Sequence, residues 1–354
     1  MTAAKKKNSR RKQARFRSSR RKRIRNTVLL LLLLVVLGGT GIGAIYVLRN
    51  GTVFDKLEDA YVASREFSGG ITDLDSLRAD GFAKNLCVVV SDVPMDGVSL
   101  GENQKGLLLD LDDRKVLYSK QALQKVYPAS ITKLLTCLLG CENLDTSAQI
   151  TLSQQAAYGI EAGSSTIYGD AGEVFTVEQA LMGLMLESAN EMALAIGEEV
   201  SGSVKKFVEL MNTRAQQLGC KNTHFNNPNG LPDETHVTTA GDMAKIAKAA
   251  WQNPLCRKFF TTDLYEIPPT NIFTETRYLL NHHKMMAGRD YAYDGVLGGK
   301  TGYTDAAGAT LITYAKRGNM TLVAVVMNSV NGAWADTKSL LDYGFDNFEC
   351  KKVK

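Results

Sequence analysis

The sequence predicts an α/β protein of the α+β kind, with a mostly antiparallel sheet built from both ends of the chain body and a helical insertion forming a second lobe. Three observations lead there. Residues 106–113 and 115–119 read as two strands joined by a polar turn at Asp112, Asp113 and Arg114. Residues 308–316 and 320–327 are β-rich runs on either side of Arg317-Gly318-Asn319, a hairpin signal near the other end. Between them the apolar residues recur at helical spacing, with capping residues at the starts. Strands, then helices, then strands again imply one sheet closed by both ends.

The chain ahead of that body has a different character. Its 354 residues carry 42 Lys+Arg against 37 Asp+Glu, a formal net charge of +5. Residues 1–27 hold 13 of the basic residues and no acid, so a basic tail precedes an acidic body. Residues 28–48 are 21 consecutive residues without a charge, rich in leucine and valine. At about 1.5 Å per residue such a helix reaches roughly 30 Å, the thickness of a bilayer core. The expectation is a basic cytoplasmic tail (1–27), a retained transmembrane anchor (28–48), an extracytoplasmic spacer or stalk (49–83), a catalytic domain (84–350) and a short basic C-terminal tail (351–354). That places the protein in a plasma membrane as a single-pass protein, with its N-terminus cytoplasmic and its body outside. Positive-inside topology accounts for the basic tail, so no nucleic-acid partner is expected.

Within the spacer, Phe54, Leu57, Tyr61 and Val62 fall among charges as in a short amphipathic helix, ended by Gly69-Gly70. Residues 87–90 are strand-like. After the first hairpin comes Tyr127-Pro128-Ala129-Ser130-Ile131-Thr132-Lys133, then Leu134, Leu135, Leu138 and Leu139, which read as a buried helix. Thr176 and Gln179 form a capping-box pattern opening a helix through Leu181, Leu184 and Met185, broken at 187–190 and resumed to Val200. Residues 204–218 form a helix stopped by Gly219, and Thr239, capping toward Asp242, starts another that runs to Trp251. The stretch 225–231 between them is a turn-rich loop. Gly298-Gly299-Lys300-Thr301-Gly302 reads as a strand or strand edge whose glycines let a ligand approach the backbone, and 335–343 as a closing helix.

Ser130 and Lys133 stand three apart on one helix face, where a lysine with a lowered pKa can activate a serine. The spacing alone is common. It gains weight from Ser188-Ala189-Asn190 at a helix break and Lys300-Thr301-Gly302 in the glycine-rich strand, since three such pieces in this order are uncommon together.

With these motifs the sequence resembles the penicillin-recognising serine enzymes, whose signature is a serine–lysine pair, a Ser-x-Asn element and Lys-Thr-Gly. More narrowly it resembles the low-molecular-mass serine D-alanyl-D-alanine carboxypeptidases. Tyr118, residues 225–231, Thr238-Thr239-Ala240-Gly241-Asp242-Met243, Gly299 to Thr304 and residues 341–345 extend the likeness over about 84–350. The resemblance implies a β-lactamase/transpeptidase-like fold. It also implies removal of the terminal D-alanine from peptidoglycan stem pentapeptides through an acyl-enzyme on Ser130, with β-lactams as acylating inhibitors. Lys133 would be the general base, Ser188 the proton relay, and Asn190 the group that orients Lys133 or the substrate amide. Lys300 and Thr301 would hold the substrate carboxylate, Gly302 and His282 would line the binding site, and the backbone N–H groups of Ser130 and Tyr303 would form the oxyanion hole.

Three departures stand out. The second motif has Ala189 and Glu191 where the family usually has glycine and aspartate, the first hairpin turn lacks its usual glycine, and His282 stands near where many relatives carry an arginine. A β-lactamase would need a base for deacylation, and Glu161 and Glu173 fall in a glycine-rich region able to supply one. The same motifs would also serve a non-catalytic muropeptide or β-lactam sensor, or a D,D-endopeptidase using the same site. The six cysteines, Cys87, Cys137, Cys141, Cys220, Cys256 and Cys350, specify no disulfide by spacing. Cys137 and Cys141, i,i+4 on the Ser130 helix, suit packing better than bridging. With four histidines and no Cys-x-x-Cys, neither a metal site nor a cofactor is expected.

Overall fold

A computed structural model describes residues 92–94, 100–330 and 332–349, all within the unit formed by residues 78–354. In order these residues form β1 (Lys105–Asp110), β2 (Lys115–Lys120), a 3-10 turn (Ala129–Thr132), α1 (Lys133–Asn143), β3 (Gln149–Thr151), α2 (Gln154–Tyr158), β4 (Val174–Thr176) and α3 (Val177–Leu186). There follow α4 (Asn190–Ser201), α5 (Val204–Gln217), α6 (Ala240–Gln252), α7 (Pro254–Thr261), β5 (Leu264–Ile267), β6 (Arg277–Leu280), β7 (Val296–Thr304), β8 (Gly308–Arg317), β9 (Met320–Ser329) and α8 (Ala333–Asn347).

The main sheet has the order β2-β1-β9-β8-β7, antiparallel throughout. β1 pairs with β9 from Lys105 opposite Met327 to Asp110 opposite Leu322, so the early hairpin is stitched onto the late one. This is the α+β arrangement expected, with helices inserted between the strand groups. The alternation along β9 shows why the sheet lies in the middle. Val323, Val325 and Met327 pack with the helical lobe, whereas Leu322, Ala324 and Val326 pack on the opposite face with Leu340 and Leu341 of α8.

Leu134, Leu135, Leu138 and Leu139 are all at most 1% exposed, so α1 is the axis of the helical lobe. Burying each leucine contributes about 1.5–3 kcal/mol. The Thr176–Gln179 capping box is formed at the start of α3, and Thr239 accepts from the Asp242 N–H at the start of α6. Six elements have too little pattern to be read from sequence: the paired β3 and β4, the single-turn α2, α7, and β5 and β6 of the second ribbon.

The membrane expectation is corrected. No helix among the described residues is long and apolar enough to cross a membrane. The longest of them, α8, has 15 residues, about 22 Å of helix against a hydrocarbon core of roughly 30 Å. The transmembrane helix, the plasma-membrane partnership and the single-pass localisation are therefore not carried further. The segments 1–27, 28–48, 49–83 and 351–354, with Cys87 and Cys350, lie outside the described residues.

Candidate active site

The 3-10 turn that carries Ser130 is held in an uncommon conformation. Ala129 has φ 52°, a left-handed value that costs a residue with a Cβ and persists only where neighbours enforce it. Two neighbours do so. Thr310 Oγ1 on β8 donates to Pro128 O at 2.9 Å, and Gly230, at φ 90°, lies so close that any Cβ there would fall onto the Ala129 carbonyl. From the other side β7 passes at Gly302, where an added Cβ would stand 2.8 Å from Ser130 N. No side chain caps the turn, so its N–H groups, at the positive end of the helix, remain aimed at whatever lies beside β7.

Lys133, the first residue of α1, is wholly buried. Its Nζ stands 2.9 Å from Ser130 Oγ and donates to Asn229 O at 2.7 Å. Burial first, and the Lys300 charge second, hold its amine well below the ordinary lysine value, with Glu191 opposing. In its neutral form, which that shift favours, the amine can take the Ser130 proton along the 2.9 Å contact. The turn-rich loop supplies the brace: Thr136 Oγ1 donates to Pro228 O at 2.6 Å, and Asn227 Oδ1 accepts from the Gly230 N–H at 2.7 Å. His236 ties the base of the loop, accepting from the Asn226 N–H at Nδ1 and meeting Thr132 Oγ1 through Nε2 at 3.0 Å. Burial lowers its pKa to about 4, which keeps the ring neutral.

Ser188, at φ 59°, joins α3 to α4. Its Oγ is buried and makes no hydrogen bond among the described residues, an unsatisfied state that a substrate group or a proton in transit can relieve. Asn190 opens α4, 3% exposed, its N–H donating to Ser165 O at 2.8 Å. Glu191 pins the facing loop: its Oε1 accepts from Thr166 Oγ1 and the Ile167 N–H, both at 2.6 Å. The longer side chain thus still fastens the loop to the helix start.

Lys300, 2% exposed on β7, donates to Thr301 O at 3.1 Å. Burial lowers its pKa to about 7, with the Glu187 carboxylate opposing. Glu187 itself pairs with His282, Nε2 to Oε2 2.9 Å, and accepts from the Leu280 N–H at 2.7 Å.

A cavity of about 410 Å³ has Ser130, Ser188, His282, Thr301, Gly302 and Tyr303 in its wall, together with Ser165, Thr310 and Trp334. Of the residues singled out from sequence, Lys133, Asn190 and Lys300 are not in that wall but are buried. The Tyr303 side chain is 68% exposed and its hydroxyl donates to Asp305 Oδ1 at 3.2 Å. Sequence reasoning missed Asn229 O as the partner of Lys133, Glu187 as the partner of His282, and Trp334. The Asn-Pro-Asn-Gly turn announced the loop that carries Asn229 but not its pairing with Lys133; nothing local marked the others.

Glu173 is not free to act as a base. Arg277 donates to both its oxygens, at 2.7 and 3.0 Å, and the Asp170 N–H and Thr270 hydroxyl occupy it further. Glu161 is exposed and is not part of the cavity wall. Among the described residues, the one group with metal-ligating character is Cys137, Cys141 and Cys256, in the helical lobe.

Residues 101–331 match the D-alanyl-D-alanine carboxypeptidase family, peptidase S11. The chain is 36% identical over 255 residues to the D-alanyl-D-alanine carboxypeptidase DacF of Bacillus subtilis, covering 70% of this chain and 63% of that one. It is 30% identical over 267 residues to DacA of Escherichia coli, covering 72% and 63%. The chain therefore spans about 63% of the length of these relatives. Among solved structures, the D-alanyl-D-alanine carboxypeptidase of Mycobacterium tuberculosis superposes with a TM-score of 0.65 at 28% identity, covering 73% of this chain and 96% of that one. The Streptomyces K15 DD-transpeptidase superposes with a TM-score of 0.64 at 27% identity, covering 73% and 100%.

Proposed function

Since this chain belongs to the serine D-alanyl-D-alanine carboxypeptidase family, with the α+β fold of the β-lactamase/transpeptidase superfamily, we propose that it removes the terminal D-alanine from peptidoglycan stem pentapeptides. The activity is assigned to the domain expected at 84–350. Ser130 Oγ attacks the penultimate carbonyl, and its proton passes to the neutral Lys133 amine. The oxyanion is held by the N–H groups of Ser130 and Tyr303, the first at the uncapped turn and the second on the strand that passes beside it. Ser188 Oγ passes the proton on to the leaving D-alanine amine, and Asn190 orients the substrate amide. Protonated Lys300, buried next to Thr301, supplies the charge that draws the substrate carboxylate to the cavity, where Thr301 and His282 line the wall. Water then hydrolyses the ester. β-Lactams acylate the same serine.

The observation that carries this reading is the 2.9 Å contact between Ser130 Oγ and a buried lysine whose pKa burial and a second lysine depress. A β-lactamase reading loses its base, because Glu173 is saturated by Arg277. A sensor that only binds, without forming an adduct, would not need the Ser130–Lys133 pair intact; one that is acylated would, and the test below separates it.

The test is incubation of the full chain with a stem pentapeptide ending in D-Ala-D-Ala, and separately with a fluorescent penicillin, beside Ser130→Ala. D-Alanine release and a covalent adduct are expected, both absent from the variant. An adduct without release would indicate a sensor, rapid drug hydrolysis a lactamase, and cleavage of cross-linked dimers alone an endopeptidase.

A further inference from the structure

Away from the cavity, two helices of the lobe bring three thiols together. Cys137 and Cys141 lie one turn apart on α1 and so share a face. Cys256 arrives from the first turn of α7, where Asn253 Oδ1 accepts from the Leu255 and Cys256 N–H groups and fixes the helix start. The three Sγ atoms lie within 4.8 Å of one another, and Cys256 Sγ donates to Cys137 Sγ at 3.5 Å. Cys137 and Cys256 are fully buried in the apolar core, and Cys141 is half-buried at its margin.

We propose that Cys137, Cys141 and Cys256 form a three-coordinate thiolate site for a soft monovalent metal ion of the Cu(I) class. Sulfur ligands select soft ions. A metal–sulfur distance of about 2.3 Å places three sulfurs about 4 Å apart around a planar centre, inside the 4.8 Å that bounds the separations of these thiols. The number of donors separates the candidates. Structural zinc takes four ligands, and among the described residues no fourth histidine, cysteine or carboxylate joins the group. The surrounding leucine-rich core excludes water, which disfavours oxidation of a monovalent ion. Binding exchanges thiol protons for metal–sulfur bonds, releasing the protons to solvent, and transfers no electron.

The competing account is three core thiols packed for shape alone, and the experiment separates the two. Full-length reduced protein is titrated anaerobically with Cu(I), in competition with bathocuproine disulfonate, while the ultraviolet thiolate-to-metal band is followed. The expected result is withdrawal of a single equivalent from the chelator with appearance of the band. Cys141→Ser should weaken binding more than roughly tenfold, because even residues that only orient a ligand cost 10–100-fold. Cys256→Ala should do the same. Cys220→Ser, and Cys87→Ser with Cys350→Ser, should leave stoichiometry and band unchanged. Circular dichroism checks folding, and if Cys256→Ala unfolds, Cys141→Ser at its half-buried position decides. The proposal is overturned if the chelator keeps its Cu(I), if the band survives Cys141→Ser, if Zn(II) binds and Cu(I) does not displace it, or if alkylation of unreduced protein recovers Cys137 and Cys256 as a disulfide.

Discussion

His282 Nε2 lies 2.9 Å from Glu187 Oε2, which ties a side chain in the cavity wall to the residue immediately before Ser188. Glu187 keeps its charge despite burial: the bonds from His282 and Leu280, and the charges of His282 and Lys300, hold its carboxyl below the usual range. The same carboxylate opposes the burial that lowers the Lys300 pKa. One acidic side chain thus couples the histidine to the cation assigned to the substrate carboxylate.

That contact predicts a binding role for His282. His282→Ala removes both the partner of Glu187 and a side chain of the cavity wall, so KM for the pentapeptide should rise while kcat stays largely unchanged. Steady-state rates for both proteins at one pH provide the check, and equal KM values would end the idea.

A pH-dependent limb belongs to Lys300. Its pKa near 7 means that the cation is lost as pH rises through neutrality, so kcat/KM for a carboxylate-bearing peptide should fall from about pH 7 upward. Lys300→Arg keeps its charge and should carry the limb out of the measured range. Glu187→Gln removes the opposing charge and should move the limb to lower pH. A limb unmoved by both substitutions would assign it to another group.

Lys133 makes a linked prediction about stability. Its folded pKa lies well below the ordinary value, so the unfolded chain binds a proton that the folded chain refuses. The resulting loss of stability grows as pH falls from the ordinary lysine value toward the folded one. Lys133→Met should slow penicillin acylation roughly 10²–10⁴-fold, the usual contribution of a general base. Its melting temperature relative to wild type should be higher at pH 6 than at pH 10. Thermal melts at the two pH values test the sign.

These expectations show where the sequence was legible. The strands of the main sheet announce themselves by β-rich runs and hairpin turns, and α3 and α6 by Thr176 and Thr239 at their starts, because those signals are local. Ser130, Lys133 and Lys300 were found because their motif spacing is fixed by one turn or one strand. The partners of these groups were not legible. Asn229 contributes a carbonyl that any residue possesses, Glu187 acquires His282 from a strand end far along the chain, and Cys256 reaches Cys137 only after α7 packs on α1. Such pairings depend on tertiary packing, which leaves no periodicity to read.

The saturated Glu173 yields a stability prediction. Arg277 is 9% exposed and Glu173 is fully buried, so Arg277→Met strands a buried carboxylate at a cost of about 3–5 kcal/mol. Adding Glu173→Gln should recover much of that loss, because the stranded charge is then gone. Urea denaturation of the two single variants and the double variant measures the coupling. Additive losses would show that the two side chains act independently.

Gly230 offers the sharpest separation of strain from site geometry. At φ 90° its Cβ would fall onto the Ala129 carbonyl, whereas Gly219, at φ 78°, has nothing within 4 Å of the same atom. Alanine at either position bears the left-handed penalty of about 1 kcal/mol. Only Gly230→Ala also has to push the loop away from the Ser130 turn, and that loop carries the Asn229 carbonyl bound to Lys133. A displacement of this kind near reacting groups costs roughly 10²-fold. Gly230→Ala should therefore lose acylation rate by about that factor along with stability, and Gly219→Ala stability alone. Stopped-flow acylation beside thermal melts distinguishes them; equal acylation rates would mean that the loop does not position Lys133.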